Sequence, residues 1–345
     1  MRKYLWYELK KNLWLFVLLT VALALPYCIS MATLYRYTVN TETGNVSIWD
    51  PGLNGLYIGM VLLVIAAVVR CFSFKMDRRG VDCFFALPIK RWKQYLVRTL
   101  LGLCLVAVPV TIAYWSGFLV LALRPNNPYD LVWYVPAYFL MLFFGVCLFG
   151  FFSFVYTRAN TIGDGLVYIL AYMLVFYLIS SALYYLSGTA FVDVDSYMDI
   201  FGGSQVIEAL SWRIRRSDKP WNISIPYGQC VFPIVLGVLG YTLQFALLHK
   251  DKAENAGQVS ESWFGYKTLI PVYVIFSTSI FTISPDKIGT SLVSMTVLAH
   301  LAYGAAIGYK RRTWVGWKYL IVILCAIAVS IAVGLYINYV RQNFY

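Results

Sequence analysis

Few residues in this chain have the types and spacing that chemistry requires, and they are not gathered. Its two histidines, His249 and His300, stand singly. Its seven cysteines (Cys28, Cys71, Cys83, Cys104, Cys147, Cys230 and Cys325) form no C-x-x-C pair. That excludes a zinc ribbon and a redox dithiol on sequence grounds. A Cys28–Cys230 disulfide is conceivable, but the simpler expectation is that all seven pack as small apolar side chains. No G-x-x-x-x-G-K-[ST] phosphate loop, H-E-x-x-H or G-x-S-x-G occurs. The expectation is a chain that is not itself an enzyme, with no catalytic residue, no metal ligand and no cofactor of its own. Two polar concentrations remain. One runs from Lys75 to Arg98. The other comprises Asp193, Asp195 and Asp199 with Arg213, Arg215 and Arg216.

The elements that must position these residues are membrane helices. The chain has 345 residues, 60% hydrophobic and only 13% charged. A soluble domain carries about 25% charged residues, and disorder requires low hydrophobicity. Both classes are excluded. Runs near the roughly 20 apolar residues a span requires fall at about 13–34, 56–74, 96–123, 131–156, 165–187, 229–249, 268–284, 289–308 and 316–340. The first is full spanning length and lacks a following small-x-small site, so it reads as a retained helix rather than a signal peptide.

Charge sets the orientation. With the N-terminus in the cytoplasm, inner segments hold 20 of the 28 Lys and Arg and seven of the 16 acids. The net charge of +12 thus separates into about +13 inside and −1 outside, as the positive-inside rule requires. The excess is an orientation signal, and no nucleic-acid partner is expected. Span centres are almost free of charge, which counts against an ion relay.

Three segments outside the spans stand out. Residues 1–12 place Leu5, Leu9 and Leu13 on one face and Lys3 and Lys10 on another, a pattern that suits an interfacial helix. A basic flank with no defined angle is the alternative. Residues 75–93 carry a basic cluster, then Gly80, a short amphipathic stretch Val81–Ala86, and a turn at Pro88. A short surface helix fixed by turns between two spans is a mechanical lever for a partner that grips it. The plainer reading is a connector that only sets topology. The long loop 188–228 is either functional or a solvated cap, with a short amphipathic helix expected at 204–212. Two Gly-xxx-Gly patterns, Gly55/Gly59 and Gly304/Gly308, suit close helix packing. Thr161 and Asp164 form a capping-box-like helix start.

The stretch from Phe72 to Pro109 resembles the inner loop of ABC-2-type permease subunits, in particular a Gram-positive exporter group. Arg79, Val81, Asp82, Leu87, Pro88, Arg91, Gly102 and Pro109 carry the likeness, and Phe85-Ala86 departs from it. Lys252 to Gly257 resembles the charged segment after the sixth helix of such permeases. The resemblance implies an all-α polytopic membrane protein with an ABC-2-type (type V exporter-like) bundle. Residues 1–250 would form the six-helix core and 251–345 about three further helices. It implies a multi-pass subunit of the bacterial cell membrane. The partners implied are two cytoplasmic ABC ATPase subunits, which would bring ATP and Mg, and a second permease subunit, identical or paralogous. Arg79, Val81, Asp82, Phe84, Phe85, Leu87, Pro88, Ile89 and Arg91 would contact the ATPase. Arg158, Asn160 and Thr161 would make a second inner contact, and the loop with Asp193, Asp195, Asp199, Arg213, Arg215 and Arg216 an outer gate. The likeness does not carry a substrate over; the apolar, aromatic-rich spans suit an amphipathic cargo, such as a peptide, a lipid-like molecule or a drug. A membrane enzyme acting on lipid or glycan, and an ion-coupled transporter, stay open beside this reading.

Overall fold

The structure, a computed structural model, describes residues 2–33, 38–39, 46–47, 52–77, 80–81, 86, 89–123, 131–187, 202–214 and 227–248, and scattered positions from 254 to 339. Among the described residues, the regular structure is helical apart from one two-rung antiparallel ladder, β1 (Thr38–Val39) with β2 (Val46–Ser47). The helices are α1 (Arg2–Lys11), α2 (Leu13–Thr33), α3 (Leu53–Phe72), α4 (Arg91–Ala122), α5 (Tyr134–Thr157), α6 (Ile162–Ser187), α7 (Gly202–Ile214) and α8 (Val231–Ala246). Among the described residues, four helices are long and apolar enough to cross a membrane: Leu13–Ala32, Leu53–Lys75, Arg91–Ala122 and Tyr134–Thr157. Ile162–Tyr177 and Val231–Ala246 are shorter apolar helices. The chain is a membrane-embedded helical protein. Four expected spans thus correspond to α2–α5, and the runs expected at 165–187 and 229–249 fall on the shorter apolar helices α6 and α8. The three expected at 268–284, 289–308 and 316–340 lie outside the described residues, save for scattered helical positions.

Two compact units divide the chain, Met1–Phe154 with Phe201–Ala253 and Val155–Ile200 with Glu254–Tyr345. In the first, α2 and α3 both pack on α4. Burial ranks the spans: 17% of the apolar window of α2 is buried against 67% for α5, so α2 lies at the rim and α5 is enclosed. Lipid is as apolar as Leu, so helices associate through close packing and buried hydrogen bonds. Both occur here. A Cβ on Gly240 would lie 2.5 Å from the Gly150 carbonyl oxygen, and one on Gly237 would lie 2.8 Å from the Cys147 Cα. The backbones of α5 and α8 therefore touch where only glycine fits. Tyr27 and Tyr134 share a hydroxyl–hydroxyl bond of 2.8 Å, and the Tyr114 hydroxyl donates to the Tyr134 carbonyl at 2.6 Å. Of the Gly55/Gly59 pattern, Gly59 abuts Leu23 of α2 and Gly55 faces open space. Gly304 and Gly308 lie outside the described residues.

The described cysteines carry free thiols, including Cys28 and Cys230. The Cys28 thiol donates to Ser116 Oγ at 3.3 Å. The short helix expected at 204–212 is present as α7. It buries Val206, Ile207 and Leu210 and packs on α3. Gly203 brings its backbone against Tyr57 and Phe144, where a Cβ would come within 2.8 Å of both side chains.

Candidate functional site: the roots of the 75–93 loop

The polar stretch around Lys75–Arg98 is positioned by the C-terminus of α3 and the N-terminus of α4. Helix α3 passes into a 3-10 turn at Ser73–Lys75 and stops at Met76. The reason is local. The Asp77 carboxylate accepts the Gly80 N–H at 3.3 Å, and the Asp77 carbonyl accepts the Val81 N–H at 2.9 Å. Asp77 thus caps a new helical start, the usual role of an Asp side chain three residues ahead of an orphan donor. Gly80 lies in the first turn of that next helical segment, with Val81 beside it.

At the other root, Lys90 is the N-cap of α4 with extended backbone (φ −56°, ψ 134°). Its carbonyl accepts from the amides of Lys93 and Gln94. Helix α4 therefore begins at Arg91, five residues before the apolar run that marked the expected span. The polar first turn projects beyond it, with Arg91 and Trp92 exposed.

Arg98 joins the two roots. Its side chain is nearly fully buried. Nη1 donates to the Cys71 carbonyl of α3 at 3.0 Å. Nη2 faces Glu8 Oε1 at 3.3 Å and the Tyr4 hydroxyl at 3.5 Å, both on α1. The guanidinium lies 4.1 Å from the centroid of the Phe74 ring, well within cation–π range. Phe74 and Phe72 in turn pack on Tyr95. One guanidinium thus ties α1, α3 and α4 together. Burial pushes the Tyr4 hydroxyl above its usual pKa, with Arg98 pulling against that shift.

A helix is present at the expected residues 1–12, with Lys3 and Lys10 exposed and Leu5 and Leu9 half-buried. The residues it buries most are Glu8, at 3% exposure, and Asn12, at 2%, rather than the leucine stripe. A buried acid opposite a buried guanidinium draws that face inward. Asn12 then ends the helix: its side-chain amide donates to the Glu8 carbonyl at 2.7 Å, a local bond of the kind that competes with helix continuation.

The residues expected at the partner contact are placed as follows. Val81 is buried against its own chain, Ile89 is half-buried and Arg91 is exposed. Arg79, Asp82, Phe84, Phe85, Leu87 and Pro88 lie outside the described residues, as do Asp193, Asp195, Asp199, Arg215 and Arg216. Arg213 falls within α7.

The second expected contact belongs to the other unit, which is described by itself. Arg158 is buried, while Asn160 and Thr161 are half-buried. The segment after residue 254 folds onto this loop. The Gly257 N–H donates to the Asn160 carbonyl at 2.9 Å, and Ser260 Oγ donates to the Arg158 carbonyl at 2.7 Å. Gly257 has φ +74°, a left-handed conformation that suits glycine. Thr161 Oγ1 accepts the Asp164 N–H at 3.1 Å, so the expected cap is half formed. The acid does not reach back as a capping box would; Asp164 Oδ1 accepts the Tyr266 hydroxyl at 2.7 Å instead.

Sequence reasoning missed Glu8, Arg98 and Tyr266 as partners. The available signal was a charge inside an apolar run, which is costly in lipid unless paired. Arg98, at the start of the third expected span, fits that description, whereas Glu8, the lone acid among the basic first twelve residues, does not. Tyr266 gave no such signal. Among the described residues no group of three or more His, Cys, Asp and Glu is placed to hold a metal ion. Comparison with protein-family models, with curated proteins and with solved structures finds no match.

Proposed function

We propose that this chain is the transmembrane permease subunit of an ATP-driven ABC exporter, with hydrolysis supplied in trans by two cytoplasmic ATPase subunits. It sits in the bacterial cell membrane as a multi-pass protein with its N-terminus inside, paired with a second permease subunit. The 75–93 loop is the element a partner grips. The observation that carries the reading is the Arg98 junction. A surface loop transmits force only if its roots cannot slip past each other. Arg98 bonds the α3 backbone at Cys71 from within α4 and holds α1 to the same point. Displacement of the loop is then shared by three helices rather than absorbed at one hinge. The bonding of the 158–161 turn to the 257–260 segment supports a second, smaller contact with the same partner. The aromatic, sparsely charged interior suits an amphipathic cargo.

The test is co-purification of the full chain with a soluble subunit bearing a G-x-x-x-x-G-K-[ST] loop, followed by ATP turnover in liposomes. Asp82→Ala and Pro88→Ala are expected to leave the complex inserted and to lower turnover about tenfold, the scale of losing one charged or shape-setting contact. A chain that never retains an ATPase, or variants that turn over ATP at the wild-type rate, defeats the coupling assignment. Activity on a lipid or glycan without any ATPase would move the chain to the enzyme reading.

A further inference from the structure

We propose that the outward face of α1 is a binding site for anionic phospholipid headgroups. Lys3, Lys10 and Lys11 take the phosphate, and Trp6 and Tyr7 hold the helix at headgroup depth.

The argument begins with what α1 hides. Its one acid, Glu8, is buried against Arg98, so no negative charge on this helix faces outward. Among the described side chains of α1, those left exposed are Lys3, Trp6, Tyr7, Lys10 and Lys11. At 100° per residue they fall within about 140° of the helix circumference, a single stripe. The stripe is basic and aromatic at once. Trp6 and Tyr7 are each 60% exposed, and Trp14, just past the Asn12 turn, is 84% exposed. Three large rings on one short segment are poorly placed in water. The membrane–water interface is where amphipathic rings concentrate.

The charges sit where a headgroup would meet them. Lys10 Nζ lies 5.5 Å from the Trp6 ring centroid, so this cation is held at the level of the ring. Lys3 and Lys10 share a face and are about 10 Å apart along the axis, at 1.5 Å per residue. The first turn of α4 repeats the pairing, with Lys93 Nζ 5.6 Å from the ring of the exposed Trp92. Charge complementarity therefore selects an anionic lipid over a zwitterionic one, and the exposed rings select a lipid over free phosphate. The Arg98 junction makes the site matter, because headgroups gripping α1 also hold the roots of the 75–93 loop.

The experiment needs no ATPase partner, so its outcome is independent of the transport reading. Purified full-length protein in detergent is titrated with phosphatidylglycerol, with phosphatidylcholine and with inorganic phosphate. Bound lipid is read by native mass spectrometry and thermal stability by unfolding. Wild type is expected to favour phosphatidylglycerol roughly tenfold, since each surface Lys adds appreciably to attraction for anionic lipid. Phosphate alone is expected to have no effect. The K3Q/K10Q/K11Q variant alters only exposed side chains and should fold, with its preference falling toward unity. Trp6→Ala is expected to weaken both lipids alike. No phosphatidylglycerol preference in wild type, the same preference in the triple variant, or equal stabilisation by inorganic phosphate would each overturn the proposal.

Discussion

Removing either partner of the Glu8–Arg98 pair isolates a charge in a nearly closed site. The two side chains are 4% and 5% exposed and 3.3 Å apart. Breaking such a pair costs about 3–5 kcal/mol, because the remaining charge has lost its counterion. Arg98→Ala strands the Glu8 carboxylate and also frees the Cys71 carbonyl, so it belongs at the upper end. Glu8→Ala leaves Arg98 with the Cys71 carbonyl and the face of Phe74, and belongs at the lower end. Glu8→Gln keeps an acceptor oxygen and should cost less, about 1–2 kcal/mol. In the double variant E8M/R98M, apolar side chains of similar length replace both charges, which is close to neutral. The readout is alkylation of Cys71, which is fully buried beside the junction. A cost of about 4 kcal/mol raises its opening equilibrium roughly a thousandfold, at 1.4 kcal/mol per decade. Single variants should therefore label Cys71 rapidly, and the double variant should restore protection. Singles within about 0.5 kcal/mol of wild type, or a double as labile as the sum of the singles, would refute the reasoning. The double variant also separates stability from coupling. It stays folded but lacks the Arg98–Cys71 bond, so partner-driven ATP turnover should fall while Cys71 remains protected.

Other substitutions give independent tests. Gly240→Ala places a Cβ 2.5 Å from the Gly150 carbonyl oxygen; it should cost about 1–3 kcal/mol or more by overpacking and lower Tm. Gly55→Ala meets nothing within 4 Å and should leave Tm unchanged, so equal effects at the two sites would show that α5 and α8 do not touch as described. Tyr266→Phe removes the donor to buried Asp164 and should cost about 1.5–3 kcal/mol, the range for a hydrogen bond to a charged group. Limited proteolysis between residues 254 and 266 reports that loss. Asp77→Ala removes the cap on the Gly80 amide and should cost about 1 kcal/mol, seen as faster proteolysis of the 77–91 loop with the spans intact.

The spans were legible in the sequence because lipid imposes a long-wavelength signal: about 20 apolar residues, bounded by charge. Expected and observed limits agree within a few residues wherever only apolar patterning sets them, as at α2 (Leu13–Thr33) and α5 (Tyr134–Thr157). They diverge at α4. There the helix continues through Arg91–Tyr95, a polar turn that hydropathy alone leaves out. The site was less legible for a different reason. The residues at its centre are ordinary as types, and their meaning comes from partners far along the chain. Arg98 reads as one more inner basic residue until Glu8, 90 positions away, is placed against it. Asp164 reads as half of a capping box until Tyr266, 102 positions away, takes its oxygen. Local pattern reports which residues share a helix face, and for α1 it separated the leucines from the lysines without saying which side packs on the protein. The Glu8–Arg98 pair sets that side, with Glu8 and Asn12 innermost and Leu5 and Leu9 half-buried. The same placement turns the lysines and aromatic rings of α1 outward together. A stripe that looks like a mere topogenic flank in the sequence thereby becomes a basic, aromatic surface linked through Arg98 to the C-terminus of α3 and the N-terminus of α4.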